Sequence, residues 1–507
     1  MTTVAPVELS PLPSLTIIRP QRRWLSKSFR FRLQSFLPGS GALTLRRFSI
    51  TEAALLLILA FMTSRALGVV RQVLFNMLFG TGIAANAYYA AAYLPETLFD
   101  LVAGGALIHA FIPVFLSYEK NHDHGEIWRL TSLVFNILLV ALTLLVLIGE
   151  LFAPAFVANW LVPGYSPAAQ ALTTNLTRIM LLQPLILGLG TVITAILNSK
   201  RQFLLPALSF AIYNVGLIGG LGVSFLVRGV GIYGPTGGIL VAAFLQVFVM
   251  VPALIKQGAR YSFTWQIKHP ALREVLLLLI PNVIAVGIAS VTPIVDTAFL
   301  SFLPDTASLA ATRNASMLFA LPLALVAQAV GQASMPQLTT LATAQKYVRL
   351  RQTFSKVLGA SLVFSLLAAL FLGLLGRPVI HLLFQHGAFD AHSSSVTYLA
   401  LLGYAIALPF QALSSLLSLT FYAMKNAVLP LIACAIALLV HIGGLCIFFL
   451  LFSASQRILA IPLSVAADGC ASTLLLGLLL FTSLRSKVRK DKGMLRLRGL
   501  RAHRAAR

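Results

Sequence analysis

W-R-L-T-S-L-V-F-N-I-L-L-V-A-L-T-L-L-V-L-I-G-E-L-F-A fills residues 128–153, and between Arg129 and Glu150 it runs for twenty residues without a charge. A helix needs about 20 mostly apolar residues to cross the hydrocarbon core of a bilayer. This stretch decides the class of the protein, and the rest of the chain repeats its pattern. Of 507 residues, 58% are apolar and 10% are charged. An average soluble chain carries roughly 25% charged residues. A soluble fold with so few charges could not cover its own surface, so the chain reads as an all-α polytopic membrane protein. Secreted enzymes, disordered scaffolds and soluble nucleic-acid binders are excluded.

Working outward from 128–153, twelve segments meet the length requirement: 52–79, 84–116, 128–153, 168–197, 203–227, 234–255, 274–302, 308–340, 355–375, 394–423, 428–452 and 458–484. Several exceed the minimum, which predicts tilt, kinks or extension beyond the bilayer. Pro95, Pro184, Pro281, Pro293, Pro322 and Pro409 fall inside them. Each removes a backbone donor, so these are the candidate kinks or breaks.

The loop charges fix an orientation. Lys120, Arg129, Lys200, Arg201, Lys256, Arg260, Lys268, Arg273, Lys346, Arg349, Arg351, Lys356 and Lys425 all fall on one side of a twelve-span chain. The opposite loops hold only Arg228, Arg313, Arg377 and Arg457. Basic tails flank the spans: residues 1–48 hold eight Lys/Arg against Glu8, and residues 485–507 hold ten against Asp491, so the tails carry +16 of the net +24. The positive-inside rule then puts both termini in the cytoplasm, which demands an even number of spans. Beside a membrane, such tails read as topology signals and contacts with anionic lipid rather than as nucleic-acid binders.

Four parts are expected. Residues 1–48 form a basic, disordered cytoplasmic arm with no secretory signal pattern. Residues 49–259 make a six-helix lobe, and 260–484 make a second, pseudo-symmetric lobe around a central cavity. Residues 485–507 form a basic cytoplasmic tail. The charged connector 257–273 marks the boundary, and two such lobes with a midplane site are a common transporter plan.

Ionisable residues inside spans are costly and usually face a cavity or a partner. Span 1 carries Arg65 and Arg71 in S-R-A-L-G-V-V-R. Span 2 carries Asn86, Glu96 and Asp100 in N-A-Y-Y-A-A-A-Y-L-P-E-T-L-F-D. Glu96 and Asp100, four apart, share a helix face. Arg65 and Arg71, six apart, diverge by about 120° and need not enter one pocket. Two roles stand open: an Arg–carboxylate lock between helices, or a cavity wall for an anionic head group, which suits arginine's planar, always-charged fork. Asp296 in span 7 and Asp468 in span 12 could carry a proton or bind Na⁺, with a structural contact favoured for Asp468. Arg178 could snorkel or pair, and His441 reads as a satisfied packing histidine.

No enzyme constellation or Walker sequence is present. Cys434, Cys446 and Cys470 match no zinc or redox spacing. A metal reading of His381, His386 and Asp390 is the weaker one, so no cofactor is expected. Glycine pairs inside apolar helices read as close-packing points.

Several stretches resemble one family. S-R-A-L-G-V-V-R-Q-V-L-F (64–75), F-G-T-G-I-A-A-N-A-Y-Y-A (79–90), L-P-E-T-L-F (94–99) and G-A-L-I-H-A-F-I-P-V (105–114) resemble the first two helices of the MurJ/MviN lipid II flippases. L-N-S-K-R-Q-F-L-L-P-A (197–207), G-I-Y-G (231–234), L-R-E-V-L-L-L-L-I-P (272–281), L-L-F-Q-H-G-A-F-D (382–390), A-L-P-F-Q-A-L (407–413) and F-Y-A-M-K (421–425) continue the resemblance in order over residues 50–450. The family belongs to the multidrug/oligosaccharidyl-lipid/polysaccharide exporter superfamily.

The resemblance implies a bacterial cytoplasmic-membrane flippase. It would move a lipid-linked cell-wall precursor, most simply lipid II for peptidoglycan synthesis, by alternating access. A monovalent cation or the membrane potential would drive it, and cell-wall synthesis machinery would be its neighbour. The substrate-binding set it implies is Arg65, Arg71, Asn86 and Arg313, with Glu96, Asp100 and Asp296 as cavity carboxylates or ion-coupling groups. Departures accompany it. Asn86 replaces an acid of the family, Phe99 an arginine, Gly104 an acid and Met317 an arginine, with Arg313 one turn earlier. Typical members have fourteen helices where this count reaches twelve. A cation-coupled drug exporter, an exporter of another lipid-linked glycan, and a non-transporting scaffold are the competing readings.

Overall fold

In a computed structural model of the chain, residues 50–505 are described apart from 103–104, 122–123, 267 and 326–329. The basic arm at 1–48 and Gly104 lie outside them, and for the basic tail only the helical backbone to Ala505 is described. The described residues are helical, with no strand among them. The helices are, in chain order, α1 (Ile50–Phe79), α2 (Ile83–Val102), α3 (Gly105–Asn121), α4 (His124–Phe156), α5 (Pro167–Met180), α6 (Leu182–Ser199), α7 (Leu204–Leu226), α8 (Tyr233–Phe248), α9 (Val251–Lys256), α10 (Pro270–Ser301), α11 (Ser308–Leu323), α12 (Gly331–Thr343), α13 (Tyr347–Phe384), α14 (Ala391–Ala423), α15 (Val428–Leu451) and α16 (Ala460–Ala505).

Nine helical segments among the described residues are long and apolar enough to cross a membrane: Leu56–Phe79, Gly125–Leu161, Pro167–Ser199, Leu204–Leu226, Tyr233–Lys256, Tyr347–Phe384, Ala391–Ala423, Val428–Leu451 and Arg457–Arg485. Each falls on an expected span. The other three expected spans are helical but different in kind. Segment 84–116 is divided between α2 and α3, and 308–340 between α11 and α12. In α10, which covers all but the last residue of 274–302, the apolar part is the shorter Val286–Ser301. These three segments hold Glu96, Asp100, Asp296, Arg313 and Asn314. Polar groups that a span takes into the protein interior lower its hydropathy, so these spans look least like lipid-facing helices.

The outer surface is apolar, unlike that of a soluble protein, while the interior mixes an apolar core with buried polar groups. Leu374, Leu439 and Leu450 are 69%, 69% and 84% exposed, whereas Asn76, Thr236, Asn314 and His441 are fully buried. Large apolar side chains on the outside and satisfied polar groups within suit a hydrocarbon solvent.

Local chemistry explains where elements start and stop. Pro184 would drive its ring into the Met180 carbonyl of a continuous helix, and the chain breaks there, ending α5 at Met180 and restarting α6 at Leu182. By contrast, α2, α11 and α14 run on through Pro95, Pro322 and Pro409. Ser166 caps α5 by accepting from the Ala169 amide, with Pro167 following at the first turn. Asp390 caps α14, accepting from the Ser393 amide at 2.8 Å. Gly80 ends α1 with φ +56°, in the left-handed region that favours glycine. A close-packed glycine seam joins α7 to α8. A Cβ on Gly216 would stand 2.6 Å from the Ala242 Cα, and one on Gly220 would stand 2.7 Å from the Gly238 Cα.

Segments from before and after the expected 259/260 boundary meet at the end of the bundle where α1 finishes. The Ala388 amide donates to the Met77 carbonyl at 2.8 Å. The Thr81 and Ser393 hydroxyls are 2.7 Å apart. The Gly164 amide donates to the Ser301 hydroxyl at 3.0 Å; beside them, within the second half, His392 meets Asp305 at 2.9 Å. Below this layer, an amide cluster ties α1 to α11. Gln72 donates to Asn314 Oδ1 at 2.8 Å and Asn76 does so at 2.9 Å, while Gln72 also reaches the Tyr89 hydroxyl at 2.5 Å.

Candidate functional site

Beyond the amide cluster, toward the start of α1, lies a cavity of about 560 Å³. Its walls come from α1 (Phe61, Ser64, Arg65, Gly68, Val69, Arg71), α7 (Phe210, Asn214) and α11 (Arg313, Ser316, Met317, Ala320). Three expected arginines therefore share one cavity. The six-residue spacing of Arg65 and Arg71 does not part them, because Gly68 marks the middle of the cavity-facing stripe of α1 and the arginines flank it. At 100° per residue they lie about 60° to either side of it. Gly68 leaves the stripe without a side chain between them. Arg313 reaches the cavity one turn from Met317.

A second, smaller cavity of about 90 Å³ adjoins it and shares Arg71, Gln72 and Arg313. Its other polar lining includes Glu96, Tyr88, Tyr89, Gln183 and Tyr213. Glu96 Oε2 lies 3.4 Å from Arg313, and the guanidinium also stands over the Tyr93 ring, 5.4 Å from its centre. Among the described residues, Arg65 and Arg71 have no ion-pair partner. Three guanidiniums thus face one carboxylate. The cavity is net positive, and its arginines stand exposed or half-buried, open to an anionic ligand. A doubly charged phosphate ester would fit it, with bidentate hydrogen bonds to arginine.

The remaining expected site residues go elsewhere. Asn86 lines neither cavity. Its side chain pins α2 to the start of α11, donating to the Thr306 carbonyl and accepting from the Ala310 amide at 2.8 Å. Asp100 lies one turn beyond Glu96, exposed, and lines neither cavity. Asp296 also faces away from the arginines. Its Oδ1 is 2.8 Å from His441 Nε2, and the other ring nitrogen of His441 is 2.8 Å from Asp468 Oδ2. The expectation of a satisfied, buried histidine holds, but two carboxylates satisfy it. Arg178 pairs with Glu150 at 3.6 Å.

Sequence reading missed the amide cluster and the tyrosines that carry the cavity wall. Asn76 and Asn314 are polar residues in apolar runs, which was a usable signal. Their pairing across 238 residues was not.

A family model described as lipid II flippase MurJ matches residues 75–501. The probable lipid II flippase MurJ of Bdellovibrio bacteriovorus is 28% identical over 403 residues, covering 78% of this chain and 76% of the relative. The lipid II flippase MurJ of Burkholderia cenocepacia is 28% identical over 447 residues, covering 86% and 84%. A solved lipid II flippase MurJ in an inward closed conformation superposes with a TM-score of 0.72 at 27% identity, over 85% of this chain and 87% of that one. An inward-facing multidrug transporter of the MATE family shares the fold with a TM-score of 0.71 at 13% identity, over 86% of this chain and 99% of that one.

Proposed function

The chain belongs to the lipid II flippase MurJ family, and on that premise we propose that it moves lipid II across the bacterial inner membrane, in which it is a multi-pass protein. One observation carries the reading to this chain's own residues. Arg65, Arg71 and Arg313 line one cavity against a single carboxylate, Glu96. The pyrophosphate of the substrate supplies the missing negative charge and takes bidentate hydrogen bonds from the arginines. Arg313 takes over at Met317 what an arginine one turn later does in the family.

The chain crosses the membrane twelve times, α2 with α3, α10, and α11 with α12 making the three polar spans. Both termini are cytoplasmic, and the basic tails lie against anionic lipid. The cavity then opens toward the cytoplasm, and the latched end of the bundle faces outward. Residues 49–259 and 260–484 act as the two lobes. Transport exchanges this state for one in which the outer contacts part and the cytoplasmic side closes. The lipid-linked precursor needs no covalent chemistry, only a change in which side reaches the arginines.

The test is rescue of bacterial cells depleted of their own lipid II flippase, with membrane insertion matched across variants. Wild type is expected to restore growth, and Arg65→Ala, Arg71→Ala and Arg313→Ala to fail. Rescue by all three variants would remove the arginines from the substrate site.

A further inference from the structure

The smaller cavity beside the arginines has walls that diphosphate binding leaves unused. Helices α1, α2, α6, α7 and α8 form it, and Arg313 of α11 completes it. At about 90 Å³ it is smaller than the cavity of about 150 Å³ that accepts a benzene ring. It therefore has room for a substituent of a few heavy atoms and none for a sugar ring.

Its lining is mixed in chemistry. Phe75, Ala92, Leu217, Leu221 and Ile239 supply apolar surface, and Tyr88, Tyr213, Gln183 and Glu96 supply polar groups. Gln183 stands in the first turn of α6, beside the break from α5, and its Nε2 donates to the Tyr213 hydroxyl at 2.9 Å. The Tyr213 oxygen accepts there, so its own proton is available to a further acceptor. The Tyr88 hydroxyl has no hydrogen-bond partner among the described residues. Its ring is fixed by Phe75 and Tyr89, with ring centres 4.9 and 5.7 Å away. Two uncommitted hydroxyl donors, a carboxylate acceptor and an apolar wall thus share a space of a few atoms. An acetamido group matches all three. Its carbonyl oxygen accepts from the tyrosines, its N–H donates to Glu96, and its methyl packs on the apolar wall.

The position matches as well. The two cavities share Arg71, Gln72 and Arg313, and Arg71 lies within electrostatic reach of Tyr88 and Tyr213. A diphosphate on Arg65, Arg71 and Arg313 meets the small cavity where the two join. In lipid II the first sugar is attached to the diphosphate through its anomeric oxygen, and its acetamido group stands on the adjacent ring carbon. That group is the ring substituent nearest to phosphorus, so it can enter the small cavity while the ring stays in the larger one.

We propose that the small cavity is a subsite for the acetamido group of the sugar next to the diphosphate, and that Tyr88 and Tyr213 make the transporter select acetamido sugars over plain hexoses. The proposal rests on the lipid II transport reading, and the test separates the two. The full-length chain in lipid nanodiscs is titrated with two synthetic polyprenyl diphosphates, one carrying N-acetylglucosamine and the other glucose. They differ only at that substituent, and neither has a peptide or second sugar to bring another amide. Wild type is expected to bind the acetamido lipid at least about tenfold more tightly, the discrimination a fitted pocket gives a small substituent. Tyr88→Phe and Tyr213→Phe keep their rings, and each is expected to weaken the acetamido lipid alone and draw the two affinities together. Arg65→Ala should weaken both lipids alike and leave their ratio as it was. Tyrosines that only support the fold would lower both affinities in step. Equal affinity of wild type for the two lipids, or a ratio untouched by both tyrosine variants, overturns the subsite and leaves the transport reading standing. Binding of lipid II without either single-sugar lipid places recognition on the rest of the head group and overturns the subsite too. Wild type that binds none of the three lipids removes the transport reading and the subsite with it.

Discussion

Asn86, expected at the substrate site, does work with its amide that a carboxylate could not. It donates to the Thr306 carbonyl and accepts from the Ala310 amide at 2.8 Å. Asn86→Asp keeps the shape and the acceptor but loses the donor, setting a carboxylate against a carbonyl. Leaving such a buried group unpaired costs about 1–3 kcal/mol. The variant is expected to melt at a lower temperature than wild type, with lipid II binding unchanged in the molecules that remain folded. Weakened lipid II binding with an unaltered melting temperature would return Asn86 to the substrate site. The sequence made the arginines and Glu96 visible because charge in an apolar run is conspicuous. It left the role of Asn86 hidden because its partners are backbone groups more than 200 residues away. His441, Asp296 and Asp468 each stand out singly in the sequence, and only the fold brings their three spans together at one point.

Among the elements, spans facing lipid were the legible ones. Nine of the twelve expected segments are plain apolar helices. The other three are polar or divided and hold Glu96, Asp100, Asp296, Arg313 and Asn314, whereas α1 carries Arg65 and Arg71 and still counts among the nine. Glycine spacing was legible as close packing, and the α7–α8 seam gives it a measurable consequence. At Gly220 an added Cβ meets the Gly238 Cα at 2.7 Å, backbone against backbone, with no side chain to swing aside. At Gly222, two residues on, nothing lies within 4 Å. Gly220→Val is therefore expected to destabilise by about 1–3 kcal/mol through overpacking and to lower the melting temperature in detergent. Gly222→Val carries the same loss of glycine and the same β-branching, so it controls for helix propensity and should melt close to wild type. Equal melting of the two variants would remove the seam as the cause.

Alternating access makes a demand on the whole molecule: the end now latched must come apart in every cycle. The latch consists of Met77 to Ala388, Thr81 to Ser393, Asn86 to Thr306 and Ala310, and Gly164 to Ser301. Each such hydrogen bond is worth only about 0.5–1.5 kcal/mol net. A layer of them can hold one state without trapping it, and differential binding of substrate can shift the balance. The Thr81 and Ser393 hydroxyls, 2.7 Å apart, offer a direct test. With Cys434, Cys446 and Cys470 first replaced by serine, Thr81→Cys combined with Ser393→Cys places two thiols across the latch. Oxidation is expected to cross-link them and reduce lipid II transport to the background of empty liposomes. A reductant should restore it, and each single cysteine variant should be indifferent to both treatments. The cavity arginines are untouched, so lipid II should still bind to the cross-linked protein. Transport at the wild-type rate through a fully cross-linked latch would mean that the halves do not separate at this end. The arginine cavity would then have to discharge its lipid by a sideways route between helices.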